Sequence, residues 1–158
     1  MKRIISIALS CILVFTLCPS VFAAGNTMTW TGSAGDGSWH TAGNWDLAQV
    51  PGDGDTAVIP ESNTAEVTDD TFITLDCSGE VSVASGKCLS LSGESHLRGG
   101  KLYGDGDITI TDSSDFLWSG GSIEGNGTFT VSANARLGIE TGADVGMSRL
   151  LANNGQVM

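Results

Sequence analysis

Two short acidic turns are the first residues in this chain that could do chemistry. Asp53-Gly54-Asp55 and Asp105-Gly106-Asp107 each set two carboxylates around a glycine. Turns of this kind lend oxygens to Ca²⁺, which collects roughly six to eight of them. Neither turn continues into an EF-hand loop closed by a glutamate, and neither recurs as the calcium-binding repeat of β-rolls. Aspartate as a turn former with a solvated charge is the plainer reading, and calcium is the cofactor that the sequence leaves open.

The second group is aromatic. Trp30, Trp39 and Trp45 crowd into one short stretch with Asp36, His40 and Asn44 among them. Exposed on turns, the indoles would stack on sugar rings while the polar neighbours bond hydroxyls. Buried, they would plug the end of a stack of strands, in keeping with the usual burial of tryptophan. The cap is the expectation, with glycan binding as its alternative.

A polysaccharide lyase or hydrolase would need paired acids, or a base with bound calcium, projecting from one face. Asp107, Asp112, Asp115 and Glu124 are at hand, but Arg98 and Lys101 give way to Ser119 and Ser122 in the next repeat. The two histidines, His40 and His96, fit no metal-ligand spacing, and no G-x-S-x-G elbow, P-loop or CxxC is present. The expectation is a protein that is not an enzyme, with a polysaccharide-degrading remnant as a distant alternative. Cys77 and Cys88 are far enough apart to sit about half a coil from each other, whereas a bridge needs Cα atoms within roughly 7 Å. A disulfide and two unpaired thiols both stay open.

These residues must be positioned by a repeat. Residues 94–111 read ESHLRGGKLYGDGDITIT and residues 115–132 read DFLWSGGSIEGNGTFTVS. The pairs Gly99/Gly120, Gly100/Gly121, Gly104/Gly125, Gly106/Gly127 and Thr109/Thr130 are identical across a spacing of about 21 residues. Apolar positions correspond too: Leu97 with Trp118, Leu102 with Ile123, Ile108 with Phe129, Ile110 with Val131. Short β-type runs with glycine corners at this period define a solenoid in which each repeat is one coil. Leu97 should lie beneath Trp118 and Ile108 beneath Phe129. What recurs is core and corner, while Arg98, Lys101, Tyr103 and Asp107 become Ser119, Ser122, Glu124 and Thr128. Earlier runs at 56–59, 65–67, 72–75, 81–83 and 89–91 alternate in the same way, as do 135–140 and 143–145.

The segment from Thr29-Trp30-Thr31-Gly32 through Gly37-Ser38-Trp39, Asn44-Trp45 and Pro51 to Asp55 and Ile59 resembles the opening of bacterial secreted and surface repeat proteins. Many of these are autotransporter-type passengers or adhesins. Trp118-Ser119-Gly120-Gly121 and residues 126–131 are similar to the repeats of that group. The resemblance implies an all-β fold, a right-handed parallel β-helix or β-solenoid opened by a Trp-rich cap, and export. It carries over no catalytic residue.

Lys2-Arg3, an apolar run over residues 4–17 and the small-residue site ending at Ala23 have the order of a secretory signal peptide. The run is too short to span a membrane, which takes about 20 residues, so no transmembrane segment is expected in the mature chain. The division is therefore a signal at 1–23, a cap at 24–55 and coils at 56–158. The formal net charge of -11 becomes more negative once Lys2 and Arg3 leave, which disfavours nucleic acid. All 22 glycines lie beyond the signal, so long helices are unexpected. After residue 145 neither a helix nor a cap is evident, and the coils read as a truncated piece of a longer surface polypeptide. The functional expectation is an exported structural or adhesive scaffold, extracellular or on the cell surface after periplasmic transit. Its partners would be glycans or surface proteins.

Overall fold

Alternating apolar and polar residues make strands with one face inward, and the glycine corners turn those strands into coils. The computed structural model describes residues 25–158. It contains β1 (Thr27–Thr29), β2 (Thr56–Ile59), β3 (Thr64–Val67), β4 (Thr71–Cys77), β5 (Glu80–Val83) and β6 (Cys88–Leu91). There follow β7 (Glu94–Gly104), β8 (Asp107–Ile110), β9 (Asp115–Val131), β10 (Arg136–Ile139), β11 (Val145–Asn153) and β12 (Gln156–Val157). Every pairing between these strands is parallel. The chain is an all-β solenoid of about 5 turns.

Three ladders run along it. The first joins β1, β2, the end of β4, the starts of β7 and β9, then β10 and β12. The second joins β3, β5, the later part of β7, the middle of β9 and the start of β11. The third joins the start of β4, β6, β8 and the ends of β9 and β11. Leu97 stacks on Trp118, Leu102 on Ile123 and Ile108 on Phe129, as the repeat predicts. Their side chains, with Ile59, Ile73, Leu75, Val81, Leu89 and Leu137, fill one continuous core. Each such burial contributes about 1.5–3 kcal/mol, so the stack is held chiefly by its interior.

The corners need glycine for a concrete reason. A Cβ on Gly100 would lie 1.6 Å from the Gly79 carbonyl oxygen, and one on Gly121 would lie 2.0 Å from that of Gly100. Consecutive coils touch there by backbone alone. These corners do not break the strands, as the repeat suggested. β7 and β9 pass through them, and the turn is taken up by register shifts on either side of Arg98.

Coil length also varies. Thr64 stacks on Glu80 in the first turn, whereas Gly121 takes Val145 in the last. The early and late coils therefore lack the repeat's uniform spacing. Residues 143–144, read as strand, form the end of a turn, and the tail beyond residue 150 is ordered as the rest of β11 and β12. Large apolar side chains are exposed at this end, including Leu150 at 68% and Met158 at 65%.

Cys77 and Cys88 are separate thiols, not a disulfide. Cys77 points into the core, and its Sγ donates to the Gly79 carbonyl at 3.3 Å. Cys88 points outward, with Sγ 3.8 Å from Thr109 Oγ1. The two side chains lie on opposite sides of the coil wall. The signal-like segment lies outside the described residues, and no described helix is long and apolar enough to cross a membrane.

Candidate functional site

The tryptophans are at the closed end of the solenoid. Trp30, Trp39 and Trp45 are 3%, 0% and 2% exposed. Trp45 meets Trp30 edge to face with centroids 5.1 Å apart, and meets Trp39 in the same way at 4.8 Å. Its Nε1 donates to the Trp39 carbonyl at 2.8 Å. Trp39 Nε1 is buried without a partner among the described residues. No indole face is open to a sugar ring, so the sugar-stacking arrangement of Trp30, Trp39 and Trp45 is not formed.

The polar residues between them are equally engaged. Asn44 is fully buried; its amide donates to Asp36 Oδ1 at 2.6 Å and to the Ser38 carbonyl at 3.0 Å, and its Oδ1 accepts from the Ala34 N–H at 2.8 Å. Asp36 also accepts from Thr41, and hydrogen bonds from Thr41, Ser38 and Asn44 hold its carboxyl below the ordinary range. His40 Nε2 accepts from the Asp69 N–H at 3.2 Å, tying the cap to the first coils. The Trp39 N–H donates to Glu66 O and the Glu66 N–H to Gly37 O, so the cap extends the second ladder beneath β3. Asn44, which the sequence offers as a partner for sugar hydroxyls, is instead the organiser of the cap. The signal was its place directly before Trp45 in a turn-rich stretch.

Three of the four calcium candidates, Asp55, Asp105 and Asp107, are spent on turns and rungs. Asp55 is nearly buried and caps two backbone N–H groups, Asn26 at 2.8 Å and Gly52 at 2.9 Å. Asp53 is exposed beside it. Asp105 Oδ1 accepts from Asn126 at 2.7 Å, and Asp107 Oδ1 accepts from the Thr128 N–H at 2.8 Å. Both link one coil to the next. Among the described residues no group of three or more His, Cys, Asp or Glu gathers to hold a metal ion.

The basic residues are likewise committed. Arg98 pairs with Asp76 at 2.7 Å, Lys87 with Asp69 at 2.9 Å, Lys101 with Glu124 at 3.4 Å, and Arg136 with Asp115. Arg149 is different, and nothing in the repeat announced it. At the bulge in β11 its guanidinium turns inward over the glycine corner. Nη2 donates to the carbonyls of Gly104 at 2.9 Å and Gly106 at 2.7 Å, and Nε to that of Gly127 at 3.0 Å. Burial pushes its pKa down, partly offset by Asp107 and Asp105. It fills space that the absent glycine side chains leave. No family model, curated protein or solved structure matches the chain.

Proposed function

We propose that this protein is an exported, non-enzymatic scaffold, a stiff solenoid that presents its outer ladders at or beyond the cell surface. The observation that carries this reading is the use of polar side chains. Along the outside they bond from coil to coil, through Asp76–Arg98, Asp115–Arg136, Asp105–Asn126 and Asp107–Thr128, and among the described residues no three His, Cys, Asp or Glu side chains gather at one point to hold a metal. Such lateral bonding stiffens a stack whose repeats otherwise touch only their neighbours. The signal-like opening of the sequence and the excess of acid supply the export half of the reading. Its resemblance to surface repeat proteins points the same way.

Expression with its native leader, followed by fractionation and N-terminal sequencing, tests the proposal. The expected product is outside the cytoplasm and begins at Ala24. A cytoplasmic product that keeps Met1 would contradict it.

A further inference from the structure

The turns from the first ladder to the second differ in length from coil to coil. Residues 60–63 make the first, Ser78-Gly79 the second, Arg98-Gly99-Gly100 and Ser119-Gly120-Gly121 the next two, and residues 140–144 the last. Long turns at both ends and short glycine turns between them leave a trough along the axis. One hollow of about 410 Å³ lies against Lys101, Ser122 and Asp144, and one of about 230 Å³ against Ser62, Asn63 and Ser78. Glu80 and Gly100 border both, so the two hollows lie side by side along the same row of turns. Five rungs at about 4.8 Å give the trough a length of about 19 Å.

Packing does not account for all of this emptiness. Gly100 and Gly121 have no room for a side chain, but a Cβ on Gly99 would meet nothing within 4 Å. One on Gly146 would meet only Ser122 Cβ, at 3.8 Å. Neither has a positive φ. The fold would accept side chains at both, and their bareness keeps the trough open. Among the described residues the carboxylates of Glu80 and Asp144 have no hydrogen-bond or ion-pair partner, whereas Lys101 is held by Glu124. The free groups along the trough are thus mainly acceptors and hydroxyls.

β5, β7 and β9 are paired on both sides; the start of β11 alone has a free edge here, and a peptide added to it by β-augmentation would lie across the solenoid axis, not along the trough. The chain's negative charge disfavours anionic polymers. From this we infer that the trough binds a linear, hydroxyl-rich oligosaccharide, neutral or amine-bearing, laid along the solenoid axis. Glu80 and Asp144 accept hydrogen bonds from its hydroxyl or ammonium groups. This assignment does not depend on where the protein resides.

Isothermal titration of the purified protein with cellohexaose, laminarihexaose, mannohexaose, chitohexaose and a glucosamine hexamer tests it, with oligogalacturonate and oligolysine as controls. At least one of the five sugars should bind and oligogalacturonate should not. Glu80→Gln or Asp144→Asn should weaken binding about tenfold, the worth of one charge-assisted hydrogen bond. Gly99→Phe should abolish it while leaving the circular dichroism spectrum and melting midpoint unchanged. Gly146→Phe serves if that variant does not fold. Silence from all five sugars, undiminished binding by a folded Phe variant, or binding of oligolysine in place of the sugars would each overturn the assignment.

Discussion

At the residue scale, burial separates groups that the sequence presents as equals. Trp39 and Trp45 are both interior, but Trp45 Nε1 has an acceptor and Trp39 Nε1 has none. Trp45→Phe should therefore lower stability more than Trp39→Phe, by about 1 kcal/mol for the lost hydrogen bond. Urea denaturation checks this, and equal losses would contradict the assignment. The two cysteines divide in the same way. Desolvation, the main cause, pushes the Cys77 thiol up to about 12. A raised thiol pKa stabilises the fold below the ordinary value of about 8.5 and loses that contribution as pH climbs from there toward the folded value. Of Cys77 and Cys88, iodoacetamide at mildly alkaline pH should label only Cys88 in the native protein, and Cys77 only after unfolding. Native labelling of Cys77 would mean that its side of the core is open.

At the scale of elements, the acidic partners set the response to pH. Hydrogen bonds and ion pairs lower the carboxyls of Asp36, Asp69, Asp115 and Glu124. A lowered carboxyl stabilises above its unfolded pKa, and that contribution disappears as pH falls through the folded value. The melting midpoint should thus be level from about pH 6 to 8 and decline below about pH 4. The decline should be shallow, because these groups are solvent-screened. Melts with and without EDTA should coincide, since Asp55, Asp105 and Asp107 already serve backbone and side-chain donors. A midpoint lowered by EDTA would restore the calcium reading.

Much of the architecture was legible because paired coils repeat their glycines and apolar residues in step. Leu97 over Trp118 needs nothing beyond that spacing. In the last coils the strand at 135–140 was legible, whereas most of β11 and β12 was not, because a bulge and a longer turn destroy the spacing while the chain still satisfies the same ladders. The role of Arg149 was hidden for a related reason. Its partners are backbone carbonyls, which carry no residue-type signal. The tryptophans left two readings because indole can plug a core or face a ligand, and only their observed burial decides.

For the whole molecule, stability is a sum over coils and their neighbours, closed at one end by the cap. Phe129, which stacks on Ile108 and meets Phe116 with centroids 5.8 Å apart, is central to that sum. Phe129→Ala should cost about 3–5 kcal/mol, measured by denaturant unfolding. The most direct test of the stacking itself is a cross-link between rungs. Thr109 and Thr130 lie side by side on the outer surface of the third ladder. Their Cα atoms should be about 4.8 Å apart, within disulfide reach. In a Cys88→Ser background, Thr109→Cys with Thr130→Cys should oxidise to an intramolecular bridge without loss of fold. Ser90→Cys with Thr130→Cys, two rungs apart, should not. A bridge in the second pair and none in the first would contradict the stacked 21-residue coil.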